Sequence, residues 1–354
     1  MQRPGALVAL VLVTLFATAA LAHDIPPGEL AALGRIWGVV RYAHPWVGYR
    51  DIPLDEATLR AIAKVRGGAT AGVGADELLR ALGDDATHVT PVCYDASLPP
   101  VDRSTKTLAD GIVYLSRDDA QARAALQTAR AAIVDLRPQP GRCAGPILSS
   151  ELGPLLVRGT IPYAMHRKVR HYGYRAQDGE AGGFESKFIT VDVGSIQGTS
   201  TTLTRVVFIV DERSLIPPVA TALAAAGQAT FVSVGAFPLH SAVDHCQMAL
   251  GDGSIVTLRT SELVDKDGYS AEPSAMITLA ANAAEGDVIA AAQQLAKPRS
   301  GRRRATGGSS VKLGAYDWRA DASFASTELP SPEQRILAAF RLWNVIHFFH
   351  GSRD

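Results

Sequence analysis

Residues 30–44 read LAALGRIWGVVRYAH and residues 336–350 read ILAAFRLWNVIHFFH, one segment occurring twice. Setting Arg35 on Arg341 brings Trp37 onto Trp343, Val39 onto Val345 and His44 onto His350, an offset of 306 residues. Solenoid periods run to roughly 20–50 residues, so this spacing is that of a whole domain. The chain therefore reads as one domain and the opening helix of another. Each copy is amphipathic: Leu30, Leu33, Trp37, Val40 and His44 follow steps of three and four, as do Ile336, Ala339, Trp343, Ile346 and His350. The second copy has its own start signal, with Ser331 as N-cap, Pro332 at the first helical position and Gln334 placed for a capping box. The first stops at Pro45. His44 and His350 end these stripes either as ligands or as packed, hydrogen-bonded core residues. The second helix must cover Trp343, Ile346 and Phe348, so either it docks on the first domain or it opens a second copy that is cut short.

The flanks set the remaining boundaries. Arg3, an apolar run over 6–16 and the triplet Ala20-Leu21-Ala22 have the layout of a secretory signal peptide spanning residues 1–22. An uncleaved anchor would need about 20 apolar residues; the Ala-rich run and the small-residue site favour cleavage and export to a periplasmic or extracellular space. Residues 297–310, KPRSGRRRATGGSS, have linker composition. They divide a domain at 23–296 from a tail at 311–354. The linker's arginines lack interleaved aromatics, and the chain balances 35 Lys+Arg against 35 Asp+Glu, so neither nucleic acid nor an anionic membrane surface is an expected partner. Cys93, Cys143 and Cys246 allow at most one bridge and include no CxxC pair; they are either buried thiols or one disulfide and a leftover. No metal or cofactor is expected, and oligomeric state is not legible.

Within the domain, a small helical region at about 28–83 includes helices at 54–65 and 75–82, ended by Gly67 and Gly83. A core at about 88–290 then alternates. β-Branched runs at 89–93, 112–115, 133–136, 206–210, 230–234 and 255–258 predict strands. Ala/Leu-rich stretches at 118–131 and 218–226 predict helices between them, and 206–234 forms a βαβ unit with a buried parallel pair. The fold class is α/β. The polar, Gly-rich stretch at about 155–200 reads as an insertion or lobe.

Taken in order, these landmarks resemble the tail-specific, or carboxyl-terminal-processing, serine peptidase family. The carriers are RIWGVVRYAHPW in the opening helix, Leu82-Gly83-Asp84-Asp85-Ala86-Thr87-His88 against the family's Leu-x-Asp-x-His-Thr, Asp135-Leu136-Arg137 against its Asp-x-Arg, and the strand and turn from Val207 to Ser214. Gly251-Asp252-Gly253 and Asp267-Gly268 match late turns. The resemblance implies a crotonase-like core of parallel strands and crossing helices. It also implies a serine nucleophile at a strand-to-helix turn, a neighbouring base, and partners that are peptide or unfolded-protein carboxyl termini.

The catalytic positions depart from that pattern. The family's serine falls on Ile216, its glutamate on Val219, and Pro217 and Pro218 remove the amides that would follow the nucleophile into an oxyanion hole. No lysine stands at 235–241, and the glycines after Asp-x-Arg are reduced to Gly141 and Gly145. Ser214, with His240 or His245 as base, is the displaced nucleophile candidate; its alternative role is to cap the next helix. Asp135 and Arg137 are either binders of a substrate carboxylate or a strand-end ion pair. Three readings follow: a catalytically impaired peptidase homologue that binds peptides, an active peptidase with a displaced serine, and a structural or interaction protein on the same fold.

Overall fold

The computed structural model describes residues 27–91, 104–138, 151–177, 180–297, 311–317, 319–321, 323–324 and 329–349. The expected signal peptide, nearly all of the linker, Cys93, Cys143 and His350 lie outside the described residues. Among those residues are eight α-helices and fourteen strands.

The helices α1 (Pro27–Ala43), α2 (Leu54–Arg66) and α3 (Ala71–Arg80) come first. Thr70 caps α3 through its hydroxyl, which accepts the Val73 N–H. Strand β1 (His88–Pro91) follows, and β2 (Lys106–Thr107) and β3 (Ile112–Leu115) lead through α4 (Ala120–Leu126) to β4 (Ala131–Asp135). The predicted helix at 118–131 is thus shorter: Asp119 caps its start through the Ala122 N–H, and Ala131 already belongs to a strand. Next come α5 (Leu152–Leu156), β5 (Thr160–Pro162), β6 (Met165–Gln177), β7 (Glu180–Val191) and β8 (Ser195–Gln197). The polar lobe is therefore a long antiparallel hairpin, β6 on β7, with β5 paired to β8 at its base. Its interspersed Lys, Arg and Gly residues break the apolar alternation by which a strand is read from sequence. Strand β9 (Arg205–Asp211), α6 (Pro218–Ala225) and β10 (Ala229–Val234) make the predicted βαβ unit, and β9 pairs with β10 in parallel. Strands β11 (His245–Ala249), β12 (Ser254–Arg259), β13 (Glu262–Val264) and β14 (Ala275–Leu279), then α7 (Glu285–Ala296) and α8 (Pro332–Phe349), complete the order.

The principal sheet has the order β14-β10-β9-β4-β3-β2, parallel throughout except for β2 at one edge. Successive side chains point to opposite faces of a strand. Val206, Phe208 and Val210 of β9 accordingly meet α4, α5 and α6, while Val207 and Ile209 meet α7. Helices on both faces explain why these strands read as unbroken apolar runs. The sequence reading placed 89–93 and 255–258 in the same parallel core, and the structure corrects this. Strand β12 pairs antiparallel with β1 and β11 in a separate three-stranded sheet that covers α1–α3, with Val256 and Leu258 buried against Leu33, Trp37 and Leu78.

The tail helix packs on α1. Its capping box forms: Ser331 N–H donates to Gln334 Oε1 at 2.7 Å and Gln334 N–H donates to Ser331 Oγ at 3.2 Å. The docking face is not the stripe read from sequence. Leu337, Phe340 and Asn344 are buried, whereas Trp343 and Ile346 are exposed. Close approach needs small residues on α1. A Cβ at Gly34 would stand 2.8 Å from the Phe340 ring, and one at Gly38 would stand 1.8 Å from Asn344 Oδ1. The Asn344 amide cannot yield easily, since its Nδ2 donates to Gly34 O at 3.0 Å and to Phe340 O at 2.9 Å. Gly38→Ala should therefore destabilise the protein by about 1–3 kcal/mol, the usual cost of overpacking. Thermal unfolding should also show a smaller penalty for Gly38→Ala when Asn344 is already alanine.

Candidate functional site

In open α/β sheets, chemistry gathers at the carboxyl ends of the parallel strands. At the end of β9 the chain turns through residues 211–217 into α6. Ser214 is 0% exposed. Its Oγ donates to Asp211 Oδ1 at 3.0 Å and accepts the Asp211 N–H at 2.8 Å, while its own N–H reaches Asp211 O at 3.1 Å. This triple link closes the turn on itself. The N-cap of α6 is Pro217, without a side-chain hydrogen bond, so the expected capping role of Ser214 is corrected: it closes the loop before the helix. These side-chain hydrogen bonds of Ser214 run to Asp211, and neither His240 nor His245 takes part in them.

Ile216 is the residue on which the sequence resemblance would set a nucleophile. Its side chain is 4% exposed and packs in the core between the sheet and α6. Its N–H donates to Ser241 Oγ at 3.0 Å, and that hydroxyl donates to Pro238 O at 2.9 Å. The amide at 216 is thus engaged, and Pro217 and Pro218 have none to offer. A tetrahedral oxyanion at this turn would find no N–H donors from residues 216–218.

Three imidazoles gather beside Ser241. His88 opens β1, His240 lies in the short turn Leu239–Ser241, and His245 opens β11. The ring centroids of His88 and His240 are 5.0 Å apart, and those of His240 and His245 6.2 Å. Burial, then the neighbouring His88 and His245, pushes His240 down to about 4, and burial also lowers His88. At neutral pH His88 and His240 therefore offer uncharged donors and acceptors. Among the described residues, no three His, Cys, Asp or Glu side chains are grouped to hold a metal ion. Sequence reasoning singled out His240 and His245 but missed His88, which tertiary pairing brings in from a distant strand.

Asp135 and Arg137 lie at the end of β4, 1% and 5% exposed. Arg137 Nε and Nη2 donate to the two Asp135 oxygens at 2.9 and 2.6 Å, and Nη2 also reaches Glu285 Oε1 at 2.9 Å. Tyr114 OH donates to Asp135 Oδ2 at 2.6 Å. Burial works against the charged guanidinium, but Asp135 and Glu285 outweigh it and raise its pKa. Two carboxylates already neutralise this cation, and the geometry ties it to a network joining β3, β4 and α7.

The most enclosed polar group was only partly visible in the sequence. Arg259, at the end of β12, and Asp84 have side chains at 0% exposure. Nε and Nη2 of Arg259 meet the two Asp84 oxygens at 2.9 and 2.7 Å, and Nη1 pairs with Glu272. Thr87 Oγ1 donates to Asp84 Oδ2 at 2.8 Å. His44 Nδ1 accepts the Trp46 N–H at 3.2 Å, so Nε2 carries the proton and donates to Asp84 Oδ2 at 3.0 Å. His44 is accordingly a neutral, packed residue whose pKa burial lowers. Burial penalises the Asp84 charge, yet the His44 hydrogen bond and Arg259 overcome this and hold it below the usual carboxylate range. The Asp84-Asp85-Ala86-Thr87 segment drew attention for its resemblance; Arg259 has no local signal at all.

Comparison with known proteins adds shape similarity at low identity. No family model and no curated protein matches the sequence. A lipoprotein from Streptococcus agalactiae matches at 12% identity over 77% of this chain and 96% of its own, with a TM-score of 0.40. A candidate peptidase from Parabacteroides merdae matches at 15% identity over 77% and 97%, with a TM-score of 0.43. The photosystem II D1 C-terminal processing protease matches at 15% identity over 60% and 53%, with a TM-score of 0.24.

Two predictions follow from this geometry. Arg259→Leu strands a buried carboxylate and should cost about 3–5 kcal/mol in urea denaturation; pairing it with Asp84→Asn should recover part of the loss. The second concerns acid. His44, His88, His171 and His240 all sit below the ordinary value of 6.5, burial being the first cause in each. Below that value the unfolded chain binds more protons than the folded one, so stability should fall as pH drops from about 6.5 toward 4. Asp84 adds a further loss below its ordinary value of 3.8. Denaturation at stepped pH should show uptake of more than one proton on unfolding, and His240→Gln should shrink it.

Proposed function

We propose that this chain is an exported homologue of the tail-specific serine peptidases that binds peptides and does not cleave them. The observation that carries the reading is Ile216: a core isoleucine stands where the nucleophile belongs, its amide is held by Ser241, and two prolines follow. A serine peptidase needs a nucleophile with a base and an oxyanion site. Ser214 supplies neither geometry, being closed into its own turn with Asp211.

On this reading the core is crotonase-like, in keeping with a parallel sheet covered by helices on both faces. The ordered motifs around Asp84, Asp135 and the β9 turn support the family relationship. The peptide would lie beside His88, His240, His245 and Ser241, whose ring nitrogens and hydroxyl suit the donors and acceptors of a peptide backbone. Carboxyl-terminal segments are the favoured ligand class, held by neutral donors because Arg137 is already paired with Asp135 and Glu285. The amino-terminal segment belongs to this proposal as a cleaved export signal.

A fluorophosphonate probe on the purified protein should label no serine, and unfolded casein should survive incubation. Labelling that Ser214→Ala abolishes would overturn the inactive reading. Fluorescent peptides ending in a free carboxylate should bind saturably, and His240→Ala should weaken them about tenfold, the loss of one good hydrogen bond. Absence of saturable binding by free-acid and amidated peptides alike would sink the peptide-binding reading.

A further inference from the structure

The tail helix repeats α1 but turns its repeated face the other way. Leu33, Ile36, Trp37 and Val40 of α1 are each 0% exposed, packed with residues of α2, α3 and β12. The residues 306 positions later are Ala339, Leu342, Trp343 and Ile346. Of these, Leu342 is 67% exposed, Trp343 63% and Ile346 52%. A contiguous apolar surface of this kind marks an interaction site.

The contact between the two helices shows how that site is oriented. Phe340 lies over Gly34, Asn344 over Gly38, and the Phe348 ring is 5.0 Å from that of Tyr42. Each of these pairs joins residues 306 apart. Contacts between equivalent positions, repeated at steps of four, mean that the helices run parallel in register about a local quasi-twofold axis. Rotating α2 and α3 about that axis lays a second pair of helices across Trp343 and Ile346.

We propose that the exposed face of α8 is the inner face of a second helical unit, and that its occupant is a two-helix hairpin of the α2–α3 kind joined to α8 in the same polypeptide. The hairpin that covers Trp37 presents Ala57, Ala61, Ile62, Ala75 and Leu78, small and aliphatic side chains that admit an indole. The occupant of the α8 face has that chemistry. A second copy of this chain suits the face less well. Its own α2–α3 hairpin is committed to α1.

Trp343 reports on the face directly. It is one of four tryptophans, so its emission and its quenching by acrylamide are read as the difference between the chain and its Trp343→Phe variant. In the unmodified full-length monomer, Trp343 should be freely quenched. Joining a second copy of residues 44–83 after Phe349 should reduce that quenching several-fold and shift the emission to the blue. Ile62→Asp within the appended copy alone should restore the quenching. The proposal is overturned if Trp343 stays as quenchable in the fusion as in the unmodified chain, whatever the fusion's helix content. It is equally overturned if the appended Ile62→Asp leaves Trp343 shielded. Shielding in the unmodified chain would also overturn it, identifying a second copy if it grows with concentration and self-coverage if it does not.

Discussion

The buried Arg259–Asp84 pair is the joint on which the rest of the architecture turns. Arg259 ends β12, Asp84 follows α3, and His44 follows α1, so one charged network ties three separate stretches of chain into a single corner. A buried ion pair is weak evidence for net stability, because desolvation consumes most of the attraction. Its value here is positional. With both Asp84 oxygens engaged, the network holds the helical unit against the antiparallel β1-β12-β11 sheet in the observed register. That register brings His88 and His245 toward His240 and the β9 turn.

The polar groups of the β9 turn serve folding. Ser214 and Asp211 satisfy each other, Ser241 satisfies the Ile216 amide, and Ile216 itself fills the core. Reactive groups need free lone pairs and open donors; these have been committed to internal partners. The same holds at the end of β4, where Tyr114, Asp135, Arg137 and Glu285 form a closed set. What stays polar and less committed is the imidazole trio, in which burial lowers the pKa values of His88 and His240.

The internal repeat places two identical helical patterns in different surroundings. In α1 the stripe led by Trp37 faces the core, as periodicity predicts. In α8 the equivalent stripe faces outward, and docking uses Leu337, Phe340 and Asn344. Periodicity identifies an apolar face, but which face is buried depends on the elements available to cover it. The glycines permit this docking: Gly34 and Gly38 leave room on α1 for Phe340 and Asn344.

Several features were legible from the chain alone. The α/β class, the βαβ unit at 206–234 and the capping box at Ser331 all rest on local rules. These rules concern strand burial and helix termini, and they operate within a few positions. Pairing over long distances was not legible. The assignment of β1 and β12 to an antiparallel sheet, the partnership of Arg259 with Asp84, the gathering of three histidines and the enclosure of Ser214 by Asp211 were all decided by tertiary packing. A side chain's chemistry is written in the sequence, but whether its donors and charges remain available depends on what the fold sets against them.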